Sequence, residues 1–113
     1  GVIHQRNLEF DSDKSILFGK EKLVKKKNFK VTTFEIRFHL LPSIKVTKLH
    51  DNKSVLIELE NSGWRFFSND GLIGVETGLY FDNKTNYIEN QNIFISGLTQ
   101  NEEQLIEWRI SKI

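Results

Sequence analysis

The sequence predicts an all-β domain, a β-sandwich of two packed antiparallel sheets assembled from about nine short strands. Three observations predict it. Apolar and polar residues alternate in three separate runs: Phe34, Ile36, Phe38 and Leu40; Val55, Ile57 and Leu59; Ile106, Trp108 and Ile110. A strand with one buried face requires this alternation, because successive side chains point to opposite sides. Clusters of Asn, Asp, Ser and Gly recur about every ten residues, the rhythm of short strands joined by turns. Towards the C-terminus the apolar runs repeat an aromatic-Arg-apolar signature, in Trp64-Arg-Phe66 and Trp108-Arg-Ile110.

Taken in order, the first strand is placed at 2–10 and the second at 14–19, with Asp11-Ser-Asp13 as the turn between them. Lys20 to Lys30 is read as a solvated loop whose lysines guard an edge strand. The third strand, 30–41, carries Glu35, Arg37 and His39 opposite its apolar row, and Pro42 stops its pairing because proline offers no N–H to a ladder. Strands at 43–49 and 54–60 flank His50-Asp-Asn-Lys53; strands at 64–67 and 71–81 flank Ser68-Asn-Asp-Gly71. In the latter turn Gly71 supplies the unhindered position that a tight hairpin needs. Asp82-Asn-Lys-Thr-Asn86 precedes a strand at 92–96, and the last strand occupies 104–112, although Gln100-Asn-Glu-Glu-Gln-Leu-Ile106 also admits a helical start. No repeat, Pro- or Ser-rich linker or low-complexity tract divides the chain, so one domain over 1–113 is expected.

Composition narrows the functional classes. A content of 38% apolar and 27% charged residues, with nine Phe, is too rich in core material for a disordered segment. A formal charge of +1 provides no global field for a polyanion, so any electrostatic partner must be recognised locally. The absence of Cys excludes disulfides, thiolate nucleophiles and zinc–thiolate sites. No apolar window is long enough to span a membrane, and the first residues lack a signal peptide's apolar core. The chain holds no Met, so Gly1 is expected to mark either a processing site or the boundary at which a piece was cut from a longer chain.

Few residues offer chemistry. Glu35, Arg37 and His39 share the polar face of one strand, and a His beside an Arg and a carboxylate is a candidate contact for an anionic sugar. Trp64 and Trp108 have the flat faces that stack on pyranose rings, yet Trp108 shares its strand face with Ile106 and Ile110, as a core residue does. Tyr80 and Tyr87 are further exposed candidates. The run from Lys20 to Lys30 holds six lysines but no arginine and one aromatic, which disfavours nucleic acid because base recognition uses both. No pair of His has ligand spacing, no Gly-x-Ser-x-Gly elbow is present, and Glu102-Glu103 falls in a loop, so no metal, cofactor or catalytic residue is expected. Asn52-Lys-Ser54 and Asn83-Lys-Thr85 match the glycosylation sequon at a frequency chance supplies.

Arg37-Phe-His-Leu-Leu-Pro42, Gly63-Trp-Arg-Phe66, Glu76-Thr-Gly-Leu-Tyr80, Ile93-Phe-Ile-Ser-Gly97 and Glu107-Trp-Arg-Ile110 follow one another in an order that resembles the closing β-domain of bacterial heparinase II/III-like proteins. That family contains polysaccharide lyases and uncharacterised relatives. The resemblance runs from Val2 to Ile113 and implies a non-catalytic C-terminal domain that supports an α/α toroid, the part of such enzymes that carries the catalytic Tyr. It implies an acidic polysaccharide as ligand of the parent, β-elimination as the parent's reaction, and a periplasmic setting, while the cytoplasm stays open on composition. A further catalytic His of the family lies in a His-rich segment of the β-part. This chain has no His-x-His-x-Asp-like segment, so no catalytic residue carries over. The strip Glu35, Arg37, His39, with Trp64, is the expected sugar-contacting set, and an autonomous carbohydrate-binding module is the alternative.

Overall fold

A computed structural model describes residues 2–25, 31–42, 44–81, 87–99 and 102–113, apart from the side chains at positions 2, 32, 79–81 and 87–89. The described residues form nine strands: β1 (Val2–Asp11), β2 (Ile16–Lys25), β3 (Thr32–His39), β4 (Lys45–Lys48), β5 (Ser54–Leu59), β6 (Ser62–Ser68), β7 (Leu72–Phe81), β8 (Tyr87–Thr99) and β9 (Glu103–Lys112). They make two antiparallel sheets, one of six strands in the order β1-β2-β9-β6-β5-β4 and one of three in the order β3-β8-β7. The expected sandwich is therefore present, and Glu103 to Ile106 is strand rather than the start of a helix.

Alternation decides the interior. Ile36, Ile73, Ile93 and Ile95 of the small sheet meet Leu23, Val55, Ile57, Phe66, Ile106 and Trp108 of the large one. At the centre Phe38 packs edge-on against Phe66 and Trp108, with ring centroids 5.1 and 5.0 Å away, while Phe66 and Trp108 stack at 5.5 Å. Aromatic pairs of this geometry contribute about 1 kcal/mol each beyond the apolar area they bury. Phe38 is the small sheet's only member of this trio, so the aromatic cluster joins the two layers. Leu59, at the end of its alternating row, is exposed where the sheet runs out.

The connections separate into two kinds. β1–β2, β4–β5, β5–β6 and β7–β8 are hairpins between sheet neighbours, whereas β2–β3, β3–β4, β6–β7 and β8–β9 cross from one sheet to the other. Gly71 thus serves an arch, not the expected hairpin. Its φ of +75° favours glycine, and a Cβ there would lie 2.8 Å from both Ile95 Cγ2 and the Ser96 carbonyl oxygen. The lysine run is the larger correction. β2 continues through Lys25, so Lys20 and Lys22 lie on the outer face of an internal strand while Lys25 turns inward; positions 26–30 are outside the described residues. Local alternation in Gly19, Glu21, Leu23 and Lys25 extends the strand, because every second residue finds an interior. Lys25 donates from Nζ to the Thr99 carbonyl at 2.6 Å, and its burial lowers the ammonium pKa from the usual lysine value.

The β4–β5 turn is held by one carboxylate. Asp51 accepts from the backbone N–H of Lys53 and of Ser54, each at 2.9 Å, and from Ser54 Oγ at 2.7 Å, with Arg65 Nη2 at 3.2 Å. The Lys53 N–H first, then the Ser54 hydroxyl, hold its pKa below the usual Asp value against the opposing effect of desolvation. A carboxyl group with a depressed folded pKa contributes stability above its unfolded pKa and loses it as pH falls through the folded one. Acid denaturation of the wild type below about pH 4 is therefore expected to include a component that Asp51→Asn removes. Asp51→Ala, which also loses the turn acceptors, is expected to be more destabilising at neutral pH than Asp51→Asn. Chemical denaturation at a series of pH values checks both outcomes.

Candidate functional site

The outer face of the three-stranded sheet gathers the polar strip. Glu35, Arg37 and His39 alternate outward along β3, beside Asn92 and Phe94 on β8, with Glu76 and Gly74 beyond on β7. Arg37 donates from Nε to Glu35 at 2.7 Å and from Nη2 to Glu76 at 3.0 Å, and its guanidinium carbon sits 5.2 Å from the Phe94 ring centroid. Hydrogen bonds to Glu76 and then Glu35 raise its pKa from the usual arginine value, so it remains a cation. Gly74 leaves the space that Phe94 fills, since a Cβ there would overlap the ring. His39 Nδ1 lies 2.8 Å from Asn92 Oδ1.

Asn92 and Asn90 are buried although they point to the outer face, and Asn90 donates to the Leu40 carbonyl at 2.8 Å. Asn90 Oδ1 has no hydrogen-bond partner. The surface is thus a planar array of acceptors and donors around one cation, with two carboxylates already paired to it. It can form hydrogen bonds to hydroxyl groups, and its charges are largely compensated internally. Trp64 is not part of it. That indole turns into the sandwich from β6 and bonds Ser62 Oγ at 3.1 Å, so no face of the protein holds all four expected residues. The Tyr80 and Tyr87 side chains and the second sequon lie outside the described residues.

A second polar cluster sits between the sheets, where sequence reading placed none. Glu21 is 0% exposed and points inward from β2 among apolar neighbours. Its carboxylate lies 2.7 Å from His4 Nε2, accepts from Arg6 Nε at 2.6 Å, and accepts from Trp108 Nε1 at 3.1 Å. Arg6 then lies over the Phe38 ring, 5.0 Å from its centroid. The four groups come from β1, β2 and β9, so the cluster fixes three strands through one carboxylate. Gly19 completes it: Trp108 is its cross-strand partner, and a Cβ at Gly19 would overlap the indole. The signal in the sequence is a carboxylate at inward parity between Gly19 and Leu23, masked by the lysines on either side of it. Among the described residues no group of three or more His, Asp or Glu could hold a metal ion.

Burying a carboxylate is costly unless its partners stay in place, and removing one partner leaves the charge uncompensated. Arg6→Ala is expected to destabilise the domain more than Glu21→Gln, which removes the charge while keeping a hydrogen-bonding amide. Arg6 is partly exposed, so its loss is expected to cost about 2 kcal/mol rather than the larger values of fully buried pairs. Gly19→Ala is expected to cost about 3 kcal/mol by displacing Trp108. Urea titration followed by tryptophan fluorescence measures all three.

The sequence model of the family described as heparinase II/III-like, C-terminal, matches residues 1–109. No curated protein and no solved structure matches the chain. That match spans nearly every strand that builds the two sheets and both polar clusters, and on it the chain belongs to the heparinase II/III-like C-terminal family.

Proposed function

We propose that this domain is the non-catalytic C-terminal β-domain of a heparinase II/III-like polysaccharide lyase. In this reading it braces the catalytic α/α toroid and lines one wall of an anionic-polysaccharide cleft with the outer face of β3, β8 and β7. Family membership over residues 1–109 is the observation that carries the reading. The polar strip supports the assignment of the wall. Arg37 is held over Phe94 by Glu35 and Glu76, so its orientation is set before any ligand arrives and little side-chain entropy is lost on contact. His39 is likewise oriented through Nδ1, which leaves Nε2 for a hydroxyl or carboxylate.

The role of this wall is positioning. Arg37 balances two carboxylates at once, so a sugar carboxylate or sulfate that engages it competes with Glu35 and Glu76. Weak, multipoint contact along a chain fits that balance better than tight capture of one residue. The autonomous carbohydrate-binding module is the weaker reading because Trp64, its leading stacking platform, faces the core.

Two measurements test the proposal. Amide chemical shifts of the 113-residue domain, titrated with acidic oligosaccharides of the heparan, chondroitin and alginate types, are expected to move weakly and locally around Arg37, His39 and Asn92. In the full-length parent, Arg37→Ala is expected to lower lyase kcat/KM about tenfold, the loss of roughly one hydrogen-bonded charge contact. Unchanged activity and unchanged stability together would remove the strip from the cleft.

A further inference from the structure

The three-stranded sheet ends on an open edge. Leu40 N donates to the Gln91 carbonyl at 3.1 Å, and in the antiparallel register that pairs Thr32 with Thr99 and His39 with Asn92 this sets the even residues of β3 to bond with β8. Glu35, Arg37 and His39 therefore turn both backbone N–H and C=O away from β8. Among the described residues these backbone groups bond to no other segment. Edge strands are commonly guarded by proline, lysine or charged side chains directed outward. β3 contains neither proline nor lysine; Arg37 reaches over β8 to Glu76 on β7, His39 bonds Asn92 on β8, and Glu35 is held by Arg37.

Beyond this edge the opposite sheet continues. β1 projects His4, Arg6, Leu8 and Phe10 from its inner face, because Arg6 and His4 both reach the inward-pointing Glu21. Arg6 lies against Phe38 of β3, but no described residue covers Leu8 and Phe10, which are 59% and 61% exposed. A cleft of about 460 Å³ separates the two, lined by Arg6, Leu8, Leu17, Phe38, Leu40 and Ile110 among others. Six strands facing three leave room for another strand beside β3.

We propose that this groove receives an extended strand from the N-terminal side of the longer protein, added antiparallel to the free edge of β3. Chain direction selects that occupant. The Val2 end of β1 pairs with Lys25, and Lys25 bonds Thr99, the register partner of Thr32; β1 and β3 thus start at the same end of the sandwich. A segment that crosses from the small sheet into β1 must run opposite to β1, and so antiparallel to β3. Its backbone meets Glu35, Arg37 and His39, and its alternate apolar side chains cover Leu8 and fill the cleft. A second copy does not fit. Antiparallel pairing of two β3 edges needs a two-fold axis normal to the sheet, which drives the two overhanging β1 strands into the same space. The proposal rests on the domain being one part of a longer protein, and it is independent of polysaccharide contact at the outer face.

Residue-resolved amide hydrogen exchange, compared between the 113-residue chain and the full-length protein, tests it. The amides of Glu35, Arg37 and His39 are expected to exchange quickly in the isolated chain and about 100-fold more slowly in the longer protein, while Ile36 and Phe38 are protected in both. Equal, fast exchange at the three odd positions in both proteins overturns the proposal. So does slow exchange in the isolated chain accompanied by a dimer on size exclusion, which assigns the edge to a second copy. In the full-length protein Glu35→Pro removes an edge N–H without touching the β3–β8 ladder, and Glu35→Ala retains it. Loss of protection at Arg37 and His39 in the proline variant alone supports strand addition, and identical exchange in the two variants counts against it.

Discussion

The buried carboxylate of Glu21 is the constraint around which the interior is arranged. A charged group with no solvent must collect donors, and it collects them from β1 through His4 and Arg6 and from β9 through Trp108. The indole N–H that it accepts fixes the plane of Trp108, and that plane sets the stacking on Phe66 and the edge-on contact with Phe38. Gly19 leaves the space for the indole. The sheet-to-sheet contact at the centre of the domain is therefore aligned by one electrostatic requirement, and the apolar burial around it supplies most of the driving force.

The same cluster explains why β1 stays on the sheet although no described residue covers its far end. An edge strand with three exposed large apolar side chains, Ile3, Leu8 and Phe10, has little packing of its own, and the pairings of His4 and Arg6 with Glu21 tether it from the inner side. β1 can thus form one wall of a groove without losing its register with β2. On the other wall, the network of Arg37 with Glu35 and Glu76 holds charged side chains away from the β3 edge. Two ion-pair clusters on opposite sides of the small sheet therefore shape one opening, one by holding β1 in place and the other by clearing the backbone of β3.

Much of the local structure was legible in the residues. The rows Phe34-Ile36-Phe38, Val55-Ile57 and Ile106-Trp108 face inward as their alternation requires, and the polar strip of β3 faces outward as a unit. The full length of β2 is not legible, because a lysine-rich composition outweighs a weak alternation and only the shared interior shows that Glu21 and Lys25 are inward residues. Gly71 was legible as a glycine with positive φ but not as an arch, since the same backbone conformation serves either connection. Trp64 could be read as core or as platform, and packing put it inside.

What the sequence by itself determined is the all-β class, the strand periodicity, the inner and outer rows of most strands and the family. These are local or cumulative properties, written in a period of two and in turn residues. Among the described residues, only the tertiary structure decided which strands share a sheet, that six strands face three, that a lysine-flanked glutamate is the most buried charge, and that the β3 edge is open. Each of these depends on which distant segments meet, and strand pairing is set by the joint burial of faces from residues far apart in the chain, which no single window contains.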